Sequence, residues 1–137
     1  IANVYDEINE FDHKFETVVG ERGVTLSGGQ KQRVAISRAL LTNPEVLILD
    51  DALSAVDTKT ESQILERLIK DRQEKTTIII AHRISSIQHA DRIIVLTDGV
   101  IKERGNHDSL IRAGGIYRAL YEKQRIRARL ESEEVPS

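Results

Sequence analysis

Cysteine is absent from the 137 residues, which excludes disulfides and thiolate metal sites. Methionine is absent too, and the chain opens with "IANVYDEINEFDHKF", which reads as a helix already under way. The expectation is a piece of a longer polypeptide. These residues show no signal-peptide pattern, and no apolar run among them approaches the roughly 20 residues that a membrane-spanning helix needs. Neither sign of charge is in excess: 20 basic against 22 acidic residues leave a net charge of −2. No basic surplus is therefore available to neutralise the phosphates of a nucleic acid. Also missing is any G-x-x-x-x-G-K-[ST] loop, the usual cradle for a nucleotide's phosphates. What is present suffices for one modest domain with a core.

Residues 1–16 carry apolar positions at helical spacing (Ile1, Val4, Tyr5, Ile8, Phe11, Phe15), and "TVVGERGVT" (17–25), with two glycines, forms a loop. A helix starts at Ser27 and stops at Asn43-Pro44. "EVLILD" (45–50) is a continuously apolar strand of the kind buried on both faces of a parallel sheet. A helix over "DTKTESQILERLIKDRQ" follows, with Thr58 and Glu61 as a capping box and Ile64, Leu65, Leu68 and Ile69 as its buried stripe. "TTIIIA" (76–81) and "RIIVLTDG" (92–99) are expected to be two further buried strands, and "VIKERG" (100–105) returns as a hairpin across Asp98-Gly99. A last helix begins near His107 and carries Leu110, Ile111, Ile116, Leu120 and Tyr121; after Gln124 the tail frays. This alternation predicts an α/β fold with a mostly parallel sheet, whose ligand sits outside the carboxyl ends of the strands.

Those ends point to specific residues. In "LSGGQ" a plain helix start accounts for Ser27 as N-cap and Gln30 as its capping-box partner, but not for Gly28-Gly29. Glycine in a first turn costs up to about 1 kcal/mol against alanine, whereas it lets backbone N–H groups approach an anion closely. Both readings stand on these residues alone. Asp50 ends a buried strand, as do the aspartates by which phosphate-transfer enzymes hold Mg²⁺. Asp51 stands where a carboxylate could orient an attacking water; turn and cap roles for the pair are the bland alternative. His82 follows the second strand, where a neutral ring could donate a hydrogen bond to a phosphate. His13, His89 and His107 read as surface residues.

"LSGGQ", the apolar strand ending in Asp50, "SAVD" (54–57) and His82, in this order, resemble the nucleotide-binding domain of ABC transporters. "TVVGERG" and "ERGNHDSLIRAGGIYRALYEKQ" resemble segments of ABC exporters, and the resemblance spans nearly the whole chain. It implies the second half of that domain: residues 1–45 from the helical subdomain with its signature motif, 46–106 from the α/β core, and 107–137 as the C-terminal helix and tail. The family's phosphate loop, adenine-stacking aromatic and Gln-containing loop are not among these residues. ATP and Mg²⁺ are the implied cofactors. Ser27, Gly28, Gly29 and Gln30 would close on the ATP of an opposing domain, Asp50 would serve the metal, Asp51 and His82 would be catalytic, and Asp57 would lie at the nucleotide interface. Implied partners are a second nucleotide-binding domain and the transmembrane domain of the same polypeptide, met through the region of Glu21, at the cytoplasmic face of the membrane.

The family usually has Glu where this chain has Asp51. A carboxylate withdrawn by one methylene is misplaced by about 1 Å, which costs about a hundredfold in rate. The resemblance then implies the subunit that carries the degenerate site of a heterodimeric exporter, in preference to a homodimer. Alternatives are a non-transport ATPase head of the same family, or a piece that is inactive by itself.

Overall fold

The computed structural model describes residues 1–133. They fall into two compact units, one over Ile1–Ala81 and the other from His82 onward.

The first unit holds helix α1 (Tyr5–Asn9), a 3-10 turn over Lys14–Glu16, helix α2 (Gly28–Leu41), strand β1 (Val46–Asp50), helix α3 (Thr58–Asp71) and strand β2 (Thr76–Ile80). The helical expectation over residues 1–16 survives only in part. Lys14 takes φ +48, a left-handed conformation that cannot continue a helix. Helix α2 starts at the expected place, with Ser27 as N-cap and both arms of the capping box made with Gln30. It stops before Asn43, which takes φ +48 ahead of Pro44.

β1 and β2 pair in parallel, with Val46 opposite Thr76 and Asp50 opposite Ile80. Burial on both faces does not hold for β1. Leu47 and Leu49 are buried, whereas Val46 and Ile48 are 52% and 59% exposed, because helices cover only one face among the described residues. The covered face joins Ile36 of α2 with Ile64, Leu65 and Leu68 of α3 in one cluster. Ile69, expected in that stripe, is 47% exposed, one position round the helix from Leu68. The cap of α3 is Asp57, one residue before the expected Thr58; its carboxylate accepts the Thr60 N–H. Glu61 is buried in the first turn of that helix.

The second unit holds strands β3 (Ile93–Thr97) and β4 (Val100–Gly105) and helices α4 (His107–Ala113) and α5 (Ile116–Glu133). β3 does not extend a parallel sheet: it pairs antiparallel with β4, and Ile94 and Leu96 are exposed. The hairpin turns at the expected dipeptide, since Asp98 and Gly99 take φ +51 and +73, the two left-handed residues of a tight turn. The single C-terminal helix is split in two. Gly114 closes α4 at φ +70, and the Glu103 carboxylate accepts the N–H groups of Ile116 and Tyr117, starting α5 afresh. The expected fraying after Gln124 is not seen through Glu133; residues 134–137 lie outside the described part. His107, expected at the surface, is half-buried with Nδ1 2.8 Å from the Tyr117 hydroxyl. No described helix is long and apolar enough to cross a membrane.

Candidate functional site

Helix α2 presents its N-terminus through a cap that consumes part of its donors. Gln30 N–H donates to Ser27 Oγ (3.2 Å), Ser27 N–H to Gln30 Oε1 (2.9 Å), and Lys31 N–H to the Ser27 carbonyl (2.9 Å). The first-turn N–H groups of Gly28 and Gly29 lie outside this box, where intrahelical partners do not exist. Gln30 faces inward: its Nε2 donates to Glu7 Oε2 at 2.8 Å. The same carboxylate receives the forked guanidinium of Arg33 at 2.6 and 2.8 Å, and Arg33 also donates to the carbonyls of Asn3 and Gly29. The Arg33 hydrogen bond holds the Glu7 carboxyl below its ordinary pKa, burial opposes it, and Gln30 assists.

Asp50 is exposed at the carboxyl end of β1, and Asp51 follows with φ +50. The Asp51 N–H still belongs to the sheet, donating to the Ile80 carbonyl at 2.8 Å. The chain then turns through Ala52–Val56 to Asp57. Hydrogen bonding to Thr60 lowers the Asp57 pKa, so this carboxylate is committed to capping α3. The turn lies directly on the start of α2. A Cβ on Gly29 would stand 2.8 Å from the Ala55 carbonyl oxygen, and one on Gly28 would stand 3.3 Å from Ala55 Cβ. Close packing inside the unit is thus a reason for these glycines that does not depend on an anion. Gln32 stitches the same contact, reaching the Asp51 carbonyl, Ser54 Oγ and the Ala55 N–H.

The first unit therefore brings together Ser27, Gly28, Gly29 and the turn from Asp51 to Asp57. His82 opens the second unit, exposed, as the second residue beyond β2. Its carbonyl accepts from Gln124 Nε2 (2.7 Å), while Gln124 Oε1 takes the Ile84 N–H (2.9 Å), so α5 anchors its backbone. Glu21 sits at the tip of the 17–25 loop, which folds back through a Val19–Val24 bridge and leaves Val18 and Val19 exposed.

Glu7, Gln32, Arg33 and Gln124 were not singled out from sequence. Arg33 carried a signal: it lies on the stripe of Gly29 and Ile36, where a charge needs a buried partner. Gln32 and Gln124 carried none, because their partners are distant in sequence.

Mg²⁺ ordinarily keeps several waters and takes one or two carboxylates plus substrate phosphates. Asp50 offers one such carboxylate and fits as a partial donor set. Among the described residues no cluster of three or more His, Cys, Asp or Glu could hold a metal without that help.

A family profile described as "ABC transporter" matches residues 2–54. The chain is 57% identical over 125 residues to the probable multidrug resistance ABC transporter ATP-binding/permease protein YheI of Bacillus subtilis, covering 91% of this chain and 21% of that protein. It is 53% identical over 131 residues to the multidrug resistance-like ATP-binding protein MdlA of Escherichia coli, covering 96% and 22%. A bacterial Atm1-family ABC exporter solved with ATP bound superposes with a TM-score of 0.85 at 45% identity, over 90% of this chain and 22% of that one. The chain thus spans about a fifth of the length of these relatives. It belongs to the ABC transporter family, as part of the nucleotide-binding domain.

Proposed function

We propose that these residues serve the ATPase of an ABC exporter, at the cytoplasmic face of a membrane, and contribute to two different ATP sites. The observation that carries the reading is the capped Ser27–Gly29 turn, with first-turn N–H groups outside its own hydrogen-bond network, in a chain closely related to ATP-binding exporter proteins. A helix N-terminus of this kind favours the γ-phosphate of an ATP. That ATP is the one held by an opposing nucleotide-binding domain. Asp50 contributes to the Mg²⁺ of the chain's own site, Asp51 orients water there, and His82 donates to the γ-phosphate. Gln30 contributes through its cap and the Glu7 bond, since both ends of its amide are engaged. Asp57 likewise acts by starting α3.

Asp51, shorter than glutamate, makes the chain's own site the slow one, so the complex is a heterodimer whose competent site is completed by this chain's Ser27–Gly29 turn. Glu21, beside exposed Val18 and Val19, meets the transmembrane domain.

Steady-state ATP hydrolysis by the intact transporter tests the assignment. Ser27→Arg is expected to nearly abolish turnover, by putting bulk and charge into the competent site, whereas Asp51→Asn changes it little. The reverse ranking would refute the heterodimer.

A further inference from the structure

Gln32 is half-buried in the second turn of α2, and its amide is engaged at both ends by one loop. Nε2 donates to the Asp51 carbonyl at 3.3 Å and to Ser54 Oγ at 2.9 Å, and Oε1 accepts the Ala55 N–H at 2.9 Å. Ser54 Oγ in turn donates to the Asp51 carbonyl at 3.0 Å. Asp51 is the residue in this loop with a left-handed backbone, φ +50, a conformation strained for a side chain other than glycine. Two side-chain donors therefore converge on the carbonyl of the strained residue. One face of the same loop rests on Gly29, too close to admit a Cβ. The start of α2 and the Asp51–Asp57 turn consequently move together: glycine contact fixes their separation, and the Gln32 amide fixes their register.

We infer that Gln32 is a positioning residue that links the chain's own ATP half-site to the turn that closes on the opposing domain's ATP. The inference rests on the two-site reading above. Its chemistry requires an amide. A carboxylate at position 32 would keep an acceptor for the Ala55 N–H but would set an oxygen against the Asp51 carbonyl, and a methyl group would keep neither contact. The loop would then be free to relax around Asp51, and the Ser27–Gly29 turn, though still capped, would lose its register against that loop and meet the opposing domain's ATP out of alignment.

The test uses an intact, reconstituted transporter carrying these residues. Gln32→Ala and Gln32→Glu are each expected to lower kcat for ATP about tenfold, a displacement of well under 1 Å sufficing, with KM within twofold of wild type. Because Ser54 acts through the same carbonyl, Ser54→Ala added to Gln32→Ala should lower kcat no more than about twofold further. Should Gln32→Ala not fold, the near-isosteric Gln32→Glu carries the same readout. Full kcat in the Gln32 variants, a loss that appears in KM instead, or multiplying losses in the Ser54 pair would overturn the inference. A wild-type transporter without ATP hydrolysis would instead refute the ATPase reading, so the two failures are distinct.

Discussion

Glu7→Gln is the substitution whose consequence is best determined by the structure. Glu7 Oε2 accepts from both Arg33 Nη2 and Gln30 Nε2, and Oε1 from Arg33 Nη1. An amide of the same size turns one of these acceptors into a donor facing a donor. Loss of one partner of a fully buried pair costs about 3–5 kcal/mol, and an exposed pair is worth about 0.2–1 kcal/mol. Here the Arg33 side chain is 10% exposed and that of Glu7 is 37%, so the exposed partner discounts the upper figure to about 2 kcal/mol. For a chain of 137 residues that corresponds to a fall in Tm of roughly 7 °C. Thermal unfolding at neutral pH, followed by circular dichroism, measures it. The pH dependence follows from the direction of the shift. The folded carboxyl has a lowered pKa, so its contribution is fully present above the unfolded value of about 4.3 and is lost as pH falls through the folded value. The gap between wild type and Glu7→Gln should therefore begin to narrow as pH falls past the unfolded value and close below the folded one. In an Arg33→Met background Glu7→Gln should cost little more, because the partner is gone. A fall in Tm under about 2 °C, or full additivity with Arg33→Met, would refute the reasoning.

Three other outcomes are expected. Gly29→Ala should destabilise the chain despite alanine's helical advantage of about 1 kcal/mol, because its Cβ would stand 2.8 Å from the Ala55 carbonyl oxygen; a raised Tm would contradict this. Asp51→Glu in the intact transporter should restore a water-positioning carboxylate, seen as vanadate-trapped ADP at two sites in place of one. Trapping at two sites before mutation would show that the aspartate was never limiting. The 137-residue chain alone should bind Mg-ATP no better than about millimolar, since it offers Asp50 but no phosphate loop; micromolar binding by calorimetry would overturn that.

Local chemistry alone determined several features. Ser27 with Gln30, Asn43-Pro44 and Asp98-Gly99 placed a cap, a stop and a hairpin correctly, because each depends on side chains and backbone torsions within a few residues. The order of LSGGQ, Asp50, SAVD and His82 sufficed to point to the family by resemblance. Which face of a strand is covered is a different matter. Val46 and Ile48 are as apolar as Leu47 and Leu49, and only the packing of α2 and α3 leaves the first pair exposed. Likewise nothing near Arg33 in sequence specifies Glu7, and nothing near Gln32 specifies the carbonyl of Asp51, 19 residues away. A long polar side chain has several rotamers and many possible partners in the unfolded chain. Only the tertiary fold, by bringing the start of α2 against the turn after β1, selects one of them and removes the rest from reach.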